Sequence, residues 1–232
     1  MAVPLPPLEE QKRIVAVLDK AFAALDRARV LAEANLADAE ELLDSAQFYA
    51  SQNKPGWKEA QLSEIIRVRS GDFLPKKAMN TNGKVPVFGG NGQTGTHDAA
   101  NLSGKNILIG RVGAKCGNVH VVDGPIWLTD NAFDVSEIYE DFDLDFLALI
   151  LDKANLRSVA KQAAQPVISG KTIGPVLVRF PTDQNEQREH ILKLKEIEKQ
   201  TASLVVLHNQ KVKDLDDIRQ SILQKAFAGE LT

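Results

Sequence analysis

The sequence lacks the features of secreted and membrane-spanning proteins. It has one cysteine, Cys116, which cannot form an internal disulfide and fits a reducing compartment. It has no run of about 18 apolar residues, so a membrane-spanning helix is not expected. Its first residues carry no basic segment before an apolar stretch, which argues against a secretory signal. These absences together favour a cytoplasmic protein without a membrane partner.

An excess of positive charge is also missing. The 28 Lys and Arg residues face 31 Asp and Glu residues, which gives a formal net charge of −3. This balance argues against a strongly electrostatic DNA binder that acts alone. Residues 1–54 hold six basic and nine acidic side chains, whereas residues 55–136 hold nine and seven. Any nucleic-acid surface is therefore expected in the middle of the chain, with most phosphate neutralisation supplied by a partner.

Clusters that could carry catalysis or bind a metal are lacking too. The four histidines are far apart, and no Cys or carboxylate stands at metal-ligand spacing from them. No Ser-His-Asp arrangement is visible, and Cys116 has no activating neighbour in the sequence. We therefore predict a protein that is not an enzyme and has no catalytic residue, no metal site and no cofactor of its own.

Two glycine motifs point towards nucleotide binding, but their contexts disfavour it. Residues 90–95 match G-x-G-x-x-G, yet Pro86 interrupts the preceding strand and residues 96–104 would form a poor helix. Residues 169–172 resemble the end of a P-loop, but Gln165 stands where its first glycine belongs. A nucleotide-binding enzyme remains an alternative. Protection by ATP or NAD against thermal unfolding would reveal it, and we expect no such protection.

The two ends of the chain carry weakly matching copies of one element. Residues 6–15 and 181–191 both begin at a proline, and Glu10-Gln11 aligns with Glu186-Gln187 at an offset of 176 residues. A repeat that brackets a domain suggests two helices that pair and present it. This arrangement favours a protein whose helices hold a binding domain in position over an enzyme.

Each copy opens a long predicted helix. The first runs to about residue 50 without Gly or Pro, and its apolar residues fit a seven-residue coiled-coil pattern. Two positions of each seven-residue repeat would face the partner helix and form the seam. The first is occupied by Leu18, Leu25, Ala32, Ala39 and Ala46, and the second by Ala21, Ala28, Asn35, Leu42 and Tyr49. The second helix, which ends near Gly229, has a stripe of Ile191, Leu194, Thr201, Val205, His208, Val212, Leu215, Ile222 and Ala226. We expect the two helices to pair as an antiparallel coiled coil.

The segment between the helices changes character. Glycine is concentrated there, and short apolar runs at residues 107–109, 119–122 and 176–178 are typical of strands between turns. Residues 146–156 are typical of a buried helix. The acidic run 137–145 is interpreted as a solvated loop before that helix, with a docking patch for a basic partner as the alternative. We predict a mixed α/β fold with a helical spacer at 1–54, one globular domain at 55–180 and a second spacer at 181–232.

This order of parts resembles the specificity subunit of Type I restriction-modification systems. The opening of the first helix, residues 7–15, is similar to that family's conserved spacer, and residues 221–231 are similar to the end of its distal spacer. The middle segment resembles a target-recognition domain through Trp57, Leu62, Ile65, Gly71, residues 86–90, Gly95, residues 109–117, Trp127, residues 130–132 and residues 165–168.

The resemblance implies a non-catalytic DNA reader. Its recognition domain would read one half of a bipartite target in double-stranded DNA, and its helices would bind methyltransferase subunits. Those subunits would bring S-adenosylmethionine, and a restriction subunit that uses ATP and Mg²⁺ could join. The family normally has two recognition domains alternating with two spacers, so this chain resembles a half-subunit. A half-subunit would act as a homodimer and prefer a symmetric target.

Candidate DNA contacts follow from the chemistry of base edges and phosphates. Asn and Gln pair with adenine, and Lys or Arg with guanine or phosphate. A polar, basic loop contains Lys76, Lys77, Asn80, Asn82 and Lys84. We expect the DNA-binding residues to be Lys76, Lys77, Asn91, Gln93, Thr94, His97, Lys115, Asn118, Ser169 and Lys171. Among them, Lys76, Lys77 and Lys171 are expected on phosphates, and Asn91, Gln93 and Thr94 on bases.

Other polar and aromatic residues are interpreted as scaffold. Arg111 fits a scaffold ion pair, and Trp57, Trp127 and Phe133 fit the core better than a base-stacking surface. The alternative function is a coiled-coil assembly module that binds only protein. Specific retention of DNA in the presence of a methyltransferase partner separates the two functions.

Overall fold

The computed structural model describes residues 6–51, 55–160 and 165–230. These residues form two compact units, one built from the helical segments up to Ala46 and from Lys195, the other from Gln47–Leu194. The long helices are α1, Leu8–Ser51, and α5, Gln184–Ala228. Within the described ranges no helix is long and apolar enough to cross a bilayer.

The helical unit pairs α1 with α5 in opposite directions. Arg29 binds Asp216 at 2.8 Å, and Asp26 accepts a hydrogen bond from Arg219 at 2.7 Å. Residue numbers fall along α1 as they rise along α5, so the helices are antiparallel, as predicted. The Arg219 guanidinium also lies 4.7 Å from the centre of the Phe22 ring, which adds a cation–π contact across the pair.

The seam of this pair follows most of the predicted register. On α5 the predicted stripe is buried or half-buried throughout, and Thr201 and His208 are 3% and 7% exposed. On α1 the first predicted seam position is covered at all five of its residues, which are Leu18, Leu25, Ala32, Ala39 and Ala46. Ala32 and Ala39 among them are buried.

One of the two predicted seam positions on α1 is wrong in its second half. Asn35 and Leu42 are exposed, and their neighbours Leu36 and Leu43 are half-buried instead. The covered residues at this seam position therefore move by one residue in the second half of α1. The side chain of Tyr49, the last predicted seam residue, lies outside the described part of the chain.

The globular unit has the predicted mixed α/β fold with short strands. An antiparallel sheet of four strands has the order β2-β8-β5-β6, a sheet of three has the order β4-β3-β7, and β1 pairs with β9. The strands are β1 Lys58–Gln61, β2 Ile66–Ser70, β3 Val85–Gly89, β4 Gly92–His97, β5 Lys105–Gly110, β6 Val119–Asp123, β7 Trp127–Leu128, β8 Ala132–Ile138 and β9 Leu177–Phe180. The short helices are α2 Leu62–Ile65, α3 Leu144–Lys153 and α4 Gly170–Ile173.

The core of the globular unit lies between the four-stranded sheet and α3. Phe146, Leu147 and Leu151 of α3 are fully buried against apolar side chains that include Ile109 of β5 and Phe180 of β9. Asp143 caps α3 by accepting hydrogen bonds from the backbone N–H groups of residues 145 and 146. The helix predicted at residues 146–156 is therefore confirmed, but it starts two residues earlier and ends three residues earlier, at Lys153.

The acidic run 137–145 begins at the end of β8, forms a loop at residues 139–143 and enters α3, and its charges are largely paired within the unit. Glu137 binds Arg67 at 3.1 Å, Glu140 binds Lys58 at 2.5 Å, and Asp145 pairs with a lysine of β5. These contacts support the interpretation as a solvated loop, because a patch for a basic partner would offer unpaired carboxylates.

The start of α5 is fixed to the globular unit through one buried amide. The Gln187 side chain is fully buried, and its Nε2 donates to the Pro181 carbonyl at 2.9 Å. Its Oε1 accepts from the backbone N–H of Asp143 at 2.8 Å. Beside it, the Trp57 indole donates to Glu186 at 3.1 Å and its ring packs edge-on against Phe146, so Trp57 has the predicted structural role.

Candidate nucleic-acid interface

A cleft of about 450 Å³ opens at one end of the globular unit, where several loops meet. Three of the predicted DNA-binding residues, Lys76, Asn91 and Thr94, line it. Its other polar lining residues are Thr129, Asn131 and Gln165. The cleft therefore combines a cation with amide and hydroxyl groups, the chemistry that contacts phosphates and base edges.

Glycines allow the loops around the cleft to meet backbone to backbone. A Cβ on Gly90 would lie 2.7 Å from the carbonyl oxygen of Val112 and 2.9 Å from that of Asn131. A Cβ on Gly110 would lie 2.5 Å from the Gly90 oxygen and 2.8 Å from the Lys115 oxygen. These distances are too short for any side chain, so both positions require glycine. The turn that carries Asn91 is thereby pressed against the 111–118 loop.

Backbone hydrogen bonds attach a further segment to this rim. The Gly113 N–H donates to the Pro166 carbonyl, and the Ile168 N–H donates to the Arg111 carbonyl, both at 3.0 Å. Gln165 therefore lies beside the 111–118 loop although more than 40 residues separate them in the sequence. Long-range pairing of this kind is invisible in a single sequence.

The lysine-bearing loop is held at both ends. The Asp72 N–H donates to the Leu128 carbonyl at 3.0 Å, and the Asn80 N–H donates to the Thr96 carbonyl at 3.0 Å. Between them Lys76–Ala78 forms a single 3₁₀ turn that leaves Lys76 and Lys77 exposed. The two ammonium groups are thus presented from a braced segment.

The 90–95 glycine motif forms a turn between two strands. Strand β3 ends at Gly89 and β4 begins at Gly92, so no helix follows the motif and no helix N-terminus is available for a pyrophosphate. Gln93 and Thr94 are exposed at the start of β4. The Thr94 hydroxyl donates to the Val87 carbonyl at 3.3 Å, which leaves its oxygen able to accept a further hydrogen bond.

The remaining predicted residues are distributed over neighbouring and separate elements. Lys115 and Asn118 are exposed in the 111–118 loop, and Lys171 is exposed on α4. His97 is half-buried, with its ring edge-on to Trp127 at 5.1 Å. Ser169 caps α4 by accepting from the Thr172 N–H at 3.2 Å. His97 and Ser169 therefore have structural roles, and their contact with DNA stays a prediction.

Arg111 has the predicted scaffold role but with different partners. Its guanidinium donates to the Asp130 carbonyl at 3.1 Å and lies 5.5 Å from the centre of the Phe133 ring. It also donates to the Ser70 hydroxyl at 3.4 Å. All these partners are uncharged, so the predicted ion pair is wrong in kind. Phe133 is 6% exposed and belongs to the core, as predicted.

A buried carboxyl lies in the four-stranded sheet. Asp134 of β8 is 6% exposed, and burial raises the pKa of its carboxyl, while the charge of Arg69 opposes part of that rise. Among the described residues no group of three or more His, Cys, Asp or Glu side chains could hold a metal ion.

The sequence prediction missed Phe73, Asn131 and Gln165 at this site. Phe73 is 73% exposed, and its neighbour Leu74 lines the cleft, as do Asn131 and Gln165. An aromatic residue in a segment bounded by Gly71 and Pro75, next to two lysines, is the available sequence signal for Phe73.

Comparison with known proteins relates this architecture to DNA-specificity proteins. The chain is 33% identical over 113 residues to the Type I restriction enzyme EcoprrI specificity subunit of Escherichia coli, a match that covers 47% of this chain and 28% of that protein. It matches the HsdS subunit from Thermoanaerobacter tengcongensis with a TM-score of 0.67 at 25% identity, over 99% of this chain and 61% of that one.

Two further solved structures share the fold. A chain from a study of complex assembly and conformational transition in the type I R-M system matches with a TM-score of 0.79 at 24% identity, over 99% of this chain and 62% of that one. The S subunit from M. genitalium matches with a TM-score of 0.56 at 19% identity, over 95% of this chain and 61% of that one. The chain thus spans less than two thirds of the length of these relatives.

The family model for the Type I restriction modification DNA specificity domain matches residues 54–213, more than half of the chain. Members of this family are DNA-recognition components without catalytic activity, which agrees with the expectation of a non-enzymatic protein. The chain therefore belongs to the Type I restriction-modification DNA specificity family.

Proposed function

We propose that the globular unit binds double-stranded DNA and reads one half of a bipartite target for a Type I restriction-modification complex. The observation that carries this proposal is the cleft lined by Lys76, Asn91 and Thr94, with the exposed Lys77 and Gln93 on the same two loops. Rigid loops that present cations and amides together suit DNA recognition, because phosphate contacts fix the register in which base edges are read. We also propose a cytoplasmic location, which is consistent with a DNA target.

The proposed contacts divide by chemistry. Lys76, Lys77 and Lys171 bind phosphates, and Asn91, Gln93 and Thr94 bind base edges, with Lys115 and Asn118 beside them. His97 and Ser169 support the reading loops through the Trp127 contact and the α4 cap. The recognition domain in this sense is residues 55–180, with spacers at 1–54 and 181–232.

Two substitutions separate sequence reading from general affinity. Gln93→Ala should relax the base preference at one position by about 1–3 kcal/mol, the value of a bidentate amide contact. Lys76→Ala should weaken all duplexes alike and reduce the dependence of affinity on salt concentration. Selection from a random duplex pool, followed by binding at several salt concentrations, measures both effects.

Matched controls come from exposed helix positions. Gln220→Ala and Lys20→Ala remove the same chemical groups from α5 and α1, so neither should change base preference. An unchanged preference in Gln93→Ala would show that the reading loop has been assigned wrongly. Loss of all DNA retention by the wild-type chain, even with methyltransferase present, would favour the assembly module that binds only protein.

We further propose that the helical unit binds methyltransferase subunits, which supply S-adenosylmethionine, and that an ATP-dependent restriction subunit joins them. Several large apolar side chains of this unit are exposed, among them Val17 and Leu31 of α1 and Leu204 and Ile218 of α5. Exposed apolar surface on paired helices suits association with another protein. Co-purification with the methyltransferase encoded by the neighbouring genes tests this, and Leu31→Asp or Leu204→Asp should reduce its yield.

The repeat supports pairing with a second recognition unit, which we propose is supplied by a second copy of this chain. At the start of α1, Gln11 Nε2 donates to the Pro6 carbonyl at 2.8 Å, five residues before it, much as Gln187 donates to the Pro181 carbonyl six residues before it. The aligned apolar residues differ, however, because Ile191 is 7% exposed in the core and Val15 is 54% exposed. Val15 thus offers an exposed apolar side chain at the position where the second copy has a core residue.

The mass of the purified protein in solution tests this pairing. A homodimer of 25.4 kDa chains is expected, and a symmetric target with it. Val15→Asp should shift the protein towards monomer, whereas Val30→Asp, at another exposed position of α1, should not. A monomer at every concentration tested would contradict the pairing.

A further inference from the structure

The side chain of Phe73 lies on the surface although it is large and apolar. It is 73% exposed, whereas phenylalanine is among the residue types most often buried. The same segment carries charged residues, with Asp72 before the ring and Lys76 and Lys77 after it, while Leu74 and Pro75 between them are half-buried. An exposed ring of this size is available to a partner, and covering it would remove apolar surface from water.

The Phe73 backbone is held between two braced points. The Asp72 N–H donates to the Leu128 carbonyl, and the Asp72 side chain accepts from Asn101 at 2.8 Å. On the other side the Pro75 carbonyl accepts from the Ala78 N–H at 2.8 Å. A ring projected from such a segment is positioned in advance, which lowers the entropy cost of using it in binding.

The other exposed apolar side chains of the globular unit belong to other segments of the chain than Phe73. In the described part of this unit those are Val121 on β6, Tyr139 after β8, Leu177 on β9 and Leu192 on α5. A protein partner of ordinary size needs a contiguous patch with an apolar centre. A single exposed ring on the same segment as two exposed lysines instead suits a duplex, which offers phosphates outside and base faces inside.

We infer that Phe73 is a wedge that inserts between two base pairs while Lys76 and Lys77 bind the flanking phosphates. Apolar side chains in other DNA-binding proteins unstack a base step in this way and bend the duplex. The step that opens most easily is a pyrimidine followed by a purine, so Phe73 would select such a step without a hydrogen bond to it. This inference rests on the proposed function and adds a second, shape-dependent source of specificity.

The test uses the full chain with its methyltransferase subunits and a duplex that the wild-type complex selects from a random pool. 2-Aminopurine is placed at successive positions, and its fluorescence is read on binding because it rises when a base unstacks. The wild type should give a rise at one step that lies away from the base that the methyltransferase modifies. Phe73→Ala should abolish that rise, lower affinity by about tenfold and remove the preference for that step.

Two further variants separate the effect of inserting an apolar side chain from the effect of the lysine charge. Phe73→Leu keeps an apolar wedge and should retain part of the fluorescence rise. Lys76→Ala should lower affinity without abolishing the rise. Circular dichroism of each variant confirms folding, which is expected because the ring is exposed.

The outcomes distinguish this inference from the function on which it rests. A wild-type complex that selects no sequence overturns both. Selection by the wild type with an unchanged affinity and fluorescence rise in Phe73→Ala overturns the wedge and leaves the DNA reader intact. A loss of affinity in Phe73→Ala without any fluorescence rise in the wild type also overturns the wedge, since the ring would then contact the outside of the duplex. A loss of methyltransferase binding in Phe73→Ala overturns it in favour of a protein contact.

Discussion

Thr201→Val should stabilise the helical unit. Thr201 lies in the α5 seam and is 3% exposed, and its hydroxyl is buried without a hydrogen-bond partner in the described part of the chain. A buried polar group without a partner costs about 1–3 kcal/mol. Valine has the same shape and a similar helix propensity, so the substitution removes this cost and little else. We expect a gain near 1 kcal/mol, or about 2–4 °C in Tm for a chain of this size.

Thermal unfolding followed by circular dichroism at 222 nm measures this effect. Thr182→Val changes the same residue type at an exposed position and should leave Tm unchanged. Thr201→Ser keeps the hydroxyl but deletes a methyl group, so it should lower Tm. If Thr201→Val lowers Tm while Thr182→Val does not, the hydroxyl stabilises the seam and the reasoning is wrong.

Three further substitutions test the globular unit by the same thermal assay. Gln187→Leu removes an amide that contacts three backbone groups, so it should destabilise the chain by about 2–4 kcal/mol, and a loss below 1 kcal/mol would contradict its role. Gly90→Ala forces a Cβ against two carbonyl oxygens and should cost about 1–3 kcal/mol, whereas Gly170→Ala, with 3.4 Å to its nearest neighbour, should be nearly neutral. Because burial raises the pKa of Asp134 in the folded state, its ionisation destabilises the fold at neutral pH, and that penalty disappears as pH falls through the raised value. Asp134→Asn should therefore raise Tm at pH 7, with a gain that shrinks as the pH approaches about 4, and an equal gain at all pH values would contradict this origin.

The sequence predicted the helices and the type of fold because these depend on local patterns. The seven-residue pattern and the bounding prolines defined α1 and α5, and the glycine-bounded apolar runs became strands. The register error at Asn35 and Leu42 arose because Leu36 and Leu43, one residue further on, are apolar as well, and the sequence alone does not show which of the two the partner helix covers.

The site was less accessible from the sequence because its members meet through long-range pairing. Lys76, Asn91 and Thr94 were recognised as polar loop residues, but their shared cleft depends on contacts between Gly90, Gly110 and the 165–168 segment. The sequence repeat identified the position of Gln187, but it could not reveal the hydrogen bonds that its buried amide forms. Phe73 was missed because composition alone does not separate an exposed ring from a core ring.

Competition between a selected duplex and a scrambled one tests the central claim most directly. The full chain, with methyltransferase subunits at a fixed salt concentration, is titrated with both DNAs, and the ratio of the two affinities is measured. A ratio of at least about a thousand is expected for specific recognition, and it should fall by tenfold or more in a chain that carries both Asn91→Ala and Gln93→Ala. Equal affinity for the two duplexes, or a ratio that the double substitution leaves unchanged, would contradict the account.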